Sequence, residues 1–119
     1  MQPHPLPPIE LPSLPVQGRT YRFPVRRILC IGKNYPAHAR EMGDTGKAPP
    51  VHFIKSPPSL LAAPGPVELI YPPATSDLQH EIELVVALHS GGRNLHPDRA
   101  LSHVHGYAVG LDIDRKSVV

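Results

Sequence analysis

The stretch Gln79-His80-Glu81-Ile82-Glu83-Leu84-Val85-Val86-Ala87-Leu88 constrains this chain most. Aliphatic and β-branched residues run to Leu88, and Gly91-Gly92 then interrupt them, which predicts a β-strand. Side chains alternate across a strand, so Glu81 and Glu83 share one face while Ile82 and Leu84 share the other. The two carboxylates are then roughly 6.6 Å apart along the strand, a gap that one cation can bridge. Held there alone they repel, and a hard divalent ion bound by oxygens relieves the repulsion. The same spacing also describes the solvated face of an amphipathic strand, the commoner origin of an isolated Glu-x-Glu.

A third carboxylate strengthens the metal reading. Gly106-Tyr107-Ala108-Val109-Gly110-Leu111-Asp112-Ile113 alternates as a second strand, with Tyr107, Val109, Leu111 and Ile113 on one face. Ala108 and Gly110 share the other face with Asp112, and their small size leaves room there for a ligand. If Asp112 meets Glu81 and Glu83, a hard-cation site results, with positions open to water and substrate. The histidines His80, His89, His96, His103 and His105 offer a competing zinc or nickel centre, but their spacing matches no helix-based or finger-type signature.

Two further features carry chemistry. Asn34-Tyr35-Pro36-Ala37-His38-Ala39-Arg40-Glu41-Met42-Gly43 reads as a short helix, capped by Asn34 and stopped by Gly43. His38 and Glu41 are three apart and share a face, so Glu41 can orient the imidazole and leave its other nitrogen as a base. An ordinary surface His–Glu pair has the same spacing. Val51-His52-Phe53-Ile54-Lys55 is a short strand ended by Ser56-Pro57-Pro58; Lys55 either holds an anionic substrate or is an exposed lysine.

The remaining chain sets the organisation. At 119 residues, 40% hydrophobic and 18% charged, it reads as one small globular domain. A formal charge of +2, with no basic run interleaved with aromatics, argues against nucleic acid. The single cysteine, Cys30, excludes an internal disulfide framework; in the strand Arg27–Ile31 it reads as a buried, inert thiol. No apolar stretch is long enough to cross a bilayer, and prolines occupy the place of a secretory signal, so the expected location is the cytoplasm. Residues 1–25, with seven prolines, form an extended proline-rich arm anchored by Ile9, Leu11, Leu14 and Val16. Val67–Tyr71 reads as an edge strand, and His96–Val104 as a short helix.

Taken together, these blocks resemble the fumarylacetoacetate hydrolase family, and within it the bacterial fumarylpyruvate hydrolases. The resemblance runs from about Pro24 to Ile113 and rests on Gly32-Lys33-Asn34-Tyr35 with His38 and Glu41, on Phe53-Ile54-Lys55, on His80-Glu81-Ile82-Glu83-Leu84, and on Gly106–Asp112. It implies a mostly β architecture with short helices (α+β), a mixed β-roll, here in the N-terminal part of the domain at residues 26–113. It also implies a homodimer at full length and a magnesium or manganese ion on Glu81, Glu83 and Asp112. His38 with Glu41 would activate water, and Lys55 would bind substrate. The implied reaction is hydrolysis of the C–C bond of an acylpyruvate, fumarylpyruvate giving fumarate and pyruvate. Oxaloacetate decarboxylation, diketo-acid isomerisation and a non-catalytic metal-binding or interaction role are the alternatives.

Lys33 stands where the family more often has Arg. Beyond Asp112 the family expects Thr-Arg-Arg-Asp-Leu-Gln, whereas the chain has Asp114-Arg115-Lys116-Ser117-Val118-Val119. The family's substrate-site Arg and Gln would fall at Lys116 and Val119. The expectation is therefore a truncated domain with a non-native tail at residues 114–119, poorly folded and inactive as written because late strands are missing.

Overall fold

A computed structural model describes residues 3, 5–32, 43, 49–62 and 64–115. The chain falls into two compact units, Met1–Glu68 and Leu69–Val119. Six strands form three antiparallel ribbons: β1 (Ser13–Pro15) with β2 (Arg22–Pro24), β3 (Ile28–Gly32) with β4 (Val51–Lys55), and β5 (Leu78–Leu88) with β6 (Val104–Arg115). Two 3-10 segments, Pro57–Ser59 and Pro97–His103, complete the regular structure of the described residues. This is the mostly β architecture with short helices that the sequence implies.

In the first unit, the end of the proline-rich arm is a small hairpin as well as an extended segment. Gly18 takes φ 72°, which favours glycine, and the Arg19 amide donates to the Val16 carbonyl at 3.1 Å to close the turn. Arg22 fastens the ribbon by donating from Nε to Ser13 Oγ at 2.7 Å and from its guanidinium to the Ser13 carbonyl at 2.9 Å. Pro15 and Pro24 sit in strands that pair on one side only, where a missing amide is tolerated. In the next ribbon Ile28 lies opposite Lys55 and Gly32 opposite Val51.

Two expectations need correction. Val67–Tyr71 is not a strand: Pro66 precedes it and Pro72-Pro73 follows, so extended residues lie between groups that cannot donate to a ladder. Cys30 is half-buried and not fully buried, because β3 and β4 form a two-stranded ribbon whose Leu29 and Ile54 are also exposed. The predicted helix over 34–43 lies outside the described residues apart from Gly43, whose φ of 79° suits a glycine stop.

In the second unit, Thr75 Oγ1 accepts from the Asp77 amide at 3.2 Å just before β5 begins. At the far end of the ribbon the Pro97–His103 segment carries the chain back. His96 caps it, Nδ1 accepting from the Asp98 amide at 3.2 Å, and Pro97 fills its first position. Two histidines tie off the ribbon: the His89 amide donates to the His103 carbonyl at 3.0 Å, and Ser90 Oγ lies 2.8 Å from His103 Nδ1.

Among the described residues only Val25 is buried. No helix among them is long and apolar enough to cross a membrane.

Candidate metal centre

The register of β5 against β6 builds the site. Glu81 lies directly opposite Asp112, and Glu83 opposite Gly110. Opposed residues of an antiparallel pair project to the same face, with Cβ atoms about 4.5–5.5 Å apart. Glu81, Glu83 and Asp112 therefore share one face of a single ribbon. Asp114, opposite Gln79, adds a fourth carboxylate to that face.

That register depends on an irregularity. Ala87 pairs with Gly106 but Leu88 pairs with Val104, so β6 carries one extra residue, at His105. Continued without it, the Leu88–Val104 pairing would set Leu111 opposite Glu81 and turn Asp112 to the apolar face. A one-residue slip exchanges the faces of a strand, and this bulge supplies the slip that gathers the carboxylates.

On the same face Val85 packs beside Gly110, so the room expected next to Asp112 is partly filled. A Cβ on Gly110 would come within 2.8 Å of Val85 Cγ2, so only hydrogen fits opposite Glu83. Ala108 is the next small residue along, opposite Val85. Glu83 and Asp112 are half-buried while Glu81 is exposed. Three carboxylates suit a hard, oxygen-seeking cation such as magnesium or manganese, and not a thiophilic metal.

Among the described residues no group of three His, Cys, Asp or Glu is drawn close enough to grip an ion. Carboxylates at this spacing repel by about 1 kcal/mol per close pair in water, and it is the backbone register that sets them on one face. The histidines form no such group either: the His89 and His103 rings stack at 6.5 Å, and His89 Nε2 lies 3.0 Å from the Ser102 carbonyl. Their bonds serve the ribbon's end. His80 lies opposite Ile113, on the face away from Glu81.

The other candidates belong to the first unit. Lys55 ends β4, half-buried, opposite Ile28. His38 and Glu41 lie outside the described residues.

An acidic antiparallel ribbon of this kind is the arrangement that a hard-cation site built on a sheet register requires. Comparison with known proteins narrows it. The family model for the fumarylacetoacetate (FAA) hydrolase C-terminal matches residues 27–118. The chain belongs to the fumarylacetoacetate hydrolase family. A crystal structure of fumarylpyruvate hydrolase from Pseudomonas aeruginosa, in complex with Mn2+ and pyruvate, is 45% identical and superposes with a TM-score of 0.84, covering 93% of this chain and 49% of that one. A putative fumarylpyruvate hydrolase from Burkholderia cenocepacia is also 45% identical, with a TM-score of 0.74 over 94% of this chain and 46% of that one. Among curated relatives, the mitochondrial oxaloacetate tautomerase of Arabidopsis thaliana is 35% identical over 77% of this chain and 40% of its own length. The mitochondrial oxaloacetate decarboxylase of Dictyostelium discoideum is 36% identical over 78% of this chain and 44% of its own. The chain thus spans less than half the length of these relatives.

Proposed function

We propose that this chain supplies the metal-binding part of an acylpyruvate hydrolase that converts fumarylpyruvate and water to fumarate and pyruvate. The observation that carries the reading is the register setting Glu81 opposite Asp112, with Glu83 on the same face, in a chain 45% identical to a fumarylpyruvate hydrolase. Glu81, Glu83 and Asp112 would hold magnesium or manganese. When bound, such an ion supplies positive charge against the keto-acid oxygens and steadies the charge of the departing fragment. Lys55 binds an anionic group of the substrate. Glu41 accepts a hydrogen bond from the His38 imidazole, and the other ring nitrogen takes a proton from water. The hydroxide so formed adds to the distal carbonyl carbon. The adjacent C–C bond then breaks, its electron pair staying with the pyruvate fragment, which is protonated to pyruvate as fumarate departs. The full-length protein acts as a homodimer in the cytoplasm.

A second reading has support of its own, because the curated relatives include an oxaloacetate tautomerase and an oxaloacetate decarboxylase. Activation of water requires a base such as His38, whereas decarboxylation does not. Proton NMR of the full-length enzyme with Mn2+, given fumarylpyruvate or oxaloacetate separately, decides between them. Fumarate and pyruvate in equal amounts from the first substrate are expected. Keto–enol interconversion or loss of carbon dioxide from oxaloacetate, with fumarylpyruvate untouched, would replace hydrolysis by the second reading.

A further inference from the structure

One contact on the acidic face shows how the two strands lean across each other. A Cβ on Gly110 would meet Val85 Cγ2 at 2.8 Å, although Val85 pairs directly with Ala108 and Gly110 with Glu83. Val85 therefore reaches diagonally, two residues along the opposite strand. Strand twist keeps one hand along a regular ladder, and the type of pair repeats every second residue, so a diagonal that is near at one step is near at the next. The pairing is regular from Leu78 to Ala87. Moved back by two residues, the Val85–Gly110 diagonal becomes Glu83–Asp112. Asp112 thus lies opposite Glu81 and on the near diagonal of Glu83, at the centre of the three acids.

Glu83 then has Asp112 on one side and the Val85 methyl group on the other. Like charges push the Glu83 carboxylate away from Asp112 and Glu81, and the space over Gly110, where there is no side chain, is the direction in which it would swing. Val85 Cγ2 stands in that space, on a β-branched side chain that is stiff at χ1. Both Glu83 and Val85 are half-buried, so neither has water on all sides. We propose that Val85 is a positioning residue for the metal centre: its methyl group fills the space over Gly110, denies it to the Glu83 carboxylate, and leaves that carboxylate the diagonal toward Asp112. The pair needs one methyl group in that space, and here β5 supplies it. This role rests on the assignment of the metal to Glu81, Glu83 and Asp112.

Mn2+ titration calorimetry on the full-length protein tests this, with the Tm of each variant measured before metal is added. Val85→Ala empties the space and should weaken Mn2+ binding about tenfold, the low end of the cost usual for groups that orient metal ligands. Gly110→Ala alone crowds the same space. The double variant Val85→Ala with Gly110→Ala returns a methyl group to it from the other strand, and should bind within about threefold of the parent, a coupling that independent sites do not show. A double variant weakened by the product of the two single effects would overturn the proposal. So would a Val85→Ala protein with lowered Tm and unchanged Mn2+ affinity, because Val85 would then serve packing alone. Absence of Mn2+ binding in the parent sequence would overturn the metal assignment itself; binding by the parent that is indifferent to Val85→Ala would remove only the role of Val85.

Discussion

Gly110 stands opposite Glu83, and a methyl group there would lie 2.8 Å from Val85 Cγ2. Valine has one side-chain rotation and it is stiff, so the strand or Val85 itself would have to move. Gly110→Ala in the full-length protein should weaken Mn2+ binding about tenfold, or ~1.4 kcal/mol, by titration calorimetry; unchanged affinity would show that the ribbon absorbs the methyl group without moving the acids. Glu81→Gln and Asp112→Asn should each lower metal-dependent turnover by more than about 100-fold, beyond the 10–100-fold cost usual for groups outside the ligand set. Initial rates across a Mn2+ series check this. The face shared by Glu81 and Glu83 was legible in the sequence, because a period of two leaves no other arrangement. Burial was not: Cys30 looks like a core residue within Ile28–Gly32, but how deeply it is covered depends on what lies across the ribbon.

At the scale of the element, the register of β5 against β6 decides which acids meet. Deleting His105 joins Val104 to Gly106 in an unbroken ladder with Asp112 still opposite Glu81, so the deletion and His105→Ala should both bind Mn2+ like the parent, whereas one alanine inserted between Tyr107 and Ala108 should set Leu111 opposite Glu81, turn Asp112 away and abolish binding. Calorimetry compares the affinities, and cross-strand contacts in NMR report the register. Equal affinity in the insertion variant would separate the site from the register. Ser90→Ala removes the bond to His103 Nδ1, a loss of about 1 kcal/mol that lowers the Tm by about 2–4 °C in a full-length domain of 150–250 residues. Strands Val51–Lys55 and Leu78–Leu88 were readable from apolar runs ending in Gly and Pro. The pairing of Asp112 with Glu81 was legible only as a condition, since register is set by the bulge and the long connection before β6. The arm's hairpin was hidden by prolines that forbid helix without excluding a one-sided ribbon, and Val67–Tyr71 failed because propensity cannot supply a partner strand.

For the whole molecule, uncovered surface outweighs local order. Burying an apolar side chain contributes about 1.5–3 kcal/mol, so Ile82, Leu84, Val86, Tyr107, Val109 and Leu111, all exposed on the face of β5–β6 away from the acids, withhold on the order of 5–10 kcal/mol. That matches the entire net stability of a typical domain, about 5–15 kcal/mol. The chain by itself should therefore bind 8-anilinonaphthalene-1-sulfonate and melt without a sharp transition, as followed by fluorescence and circular dichroism. A cooperative melt with little dye binding would mean that the face is already covered. The most direct test of the metal centre is a manganese anomalous difference map from crystals of the full-length protein. A peak bounded by the carboxylates of Glu81, Glu83 and Asp112 is the result expected; a peak elsewhere, with those three carboxylates apart from it, would contradict the account.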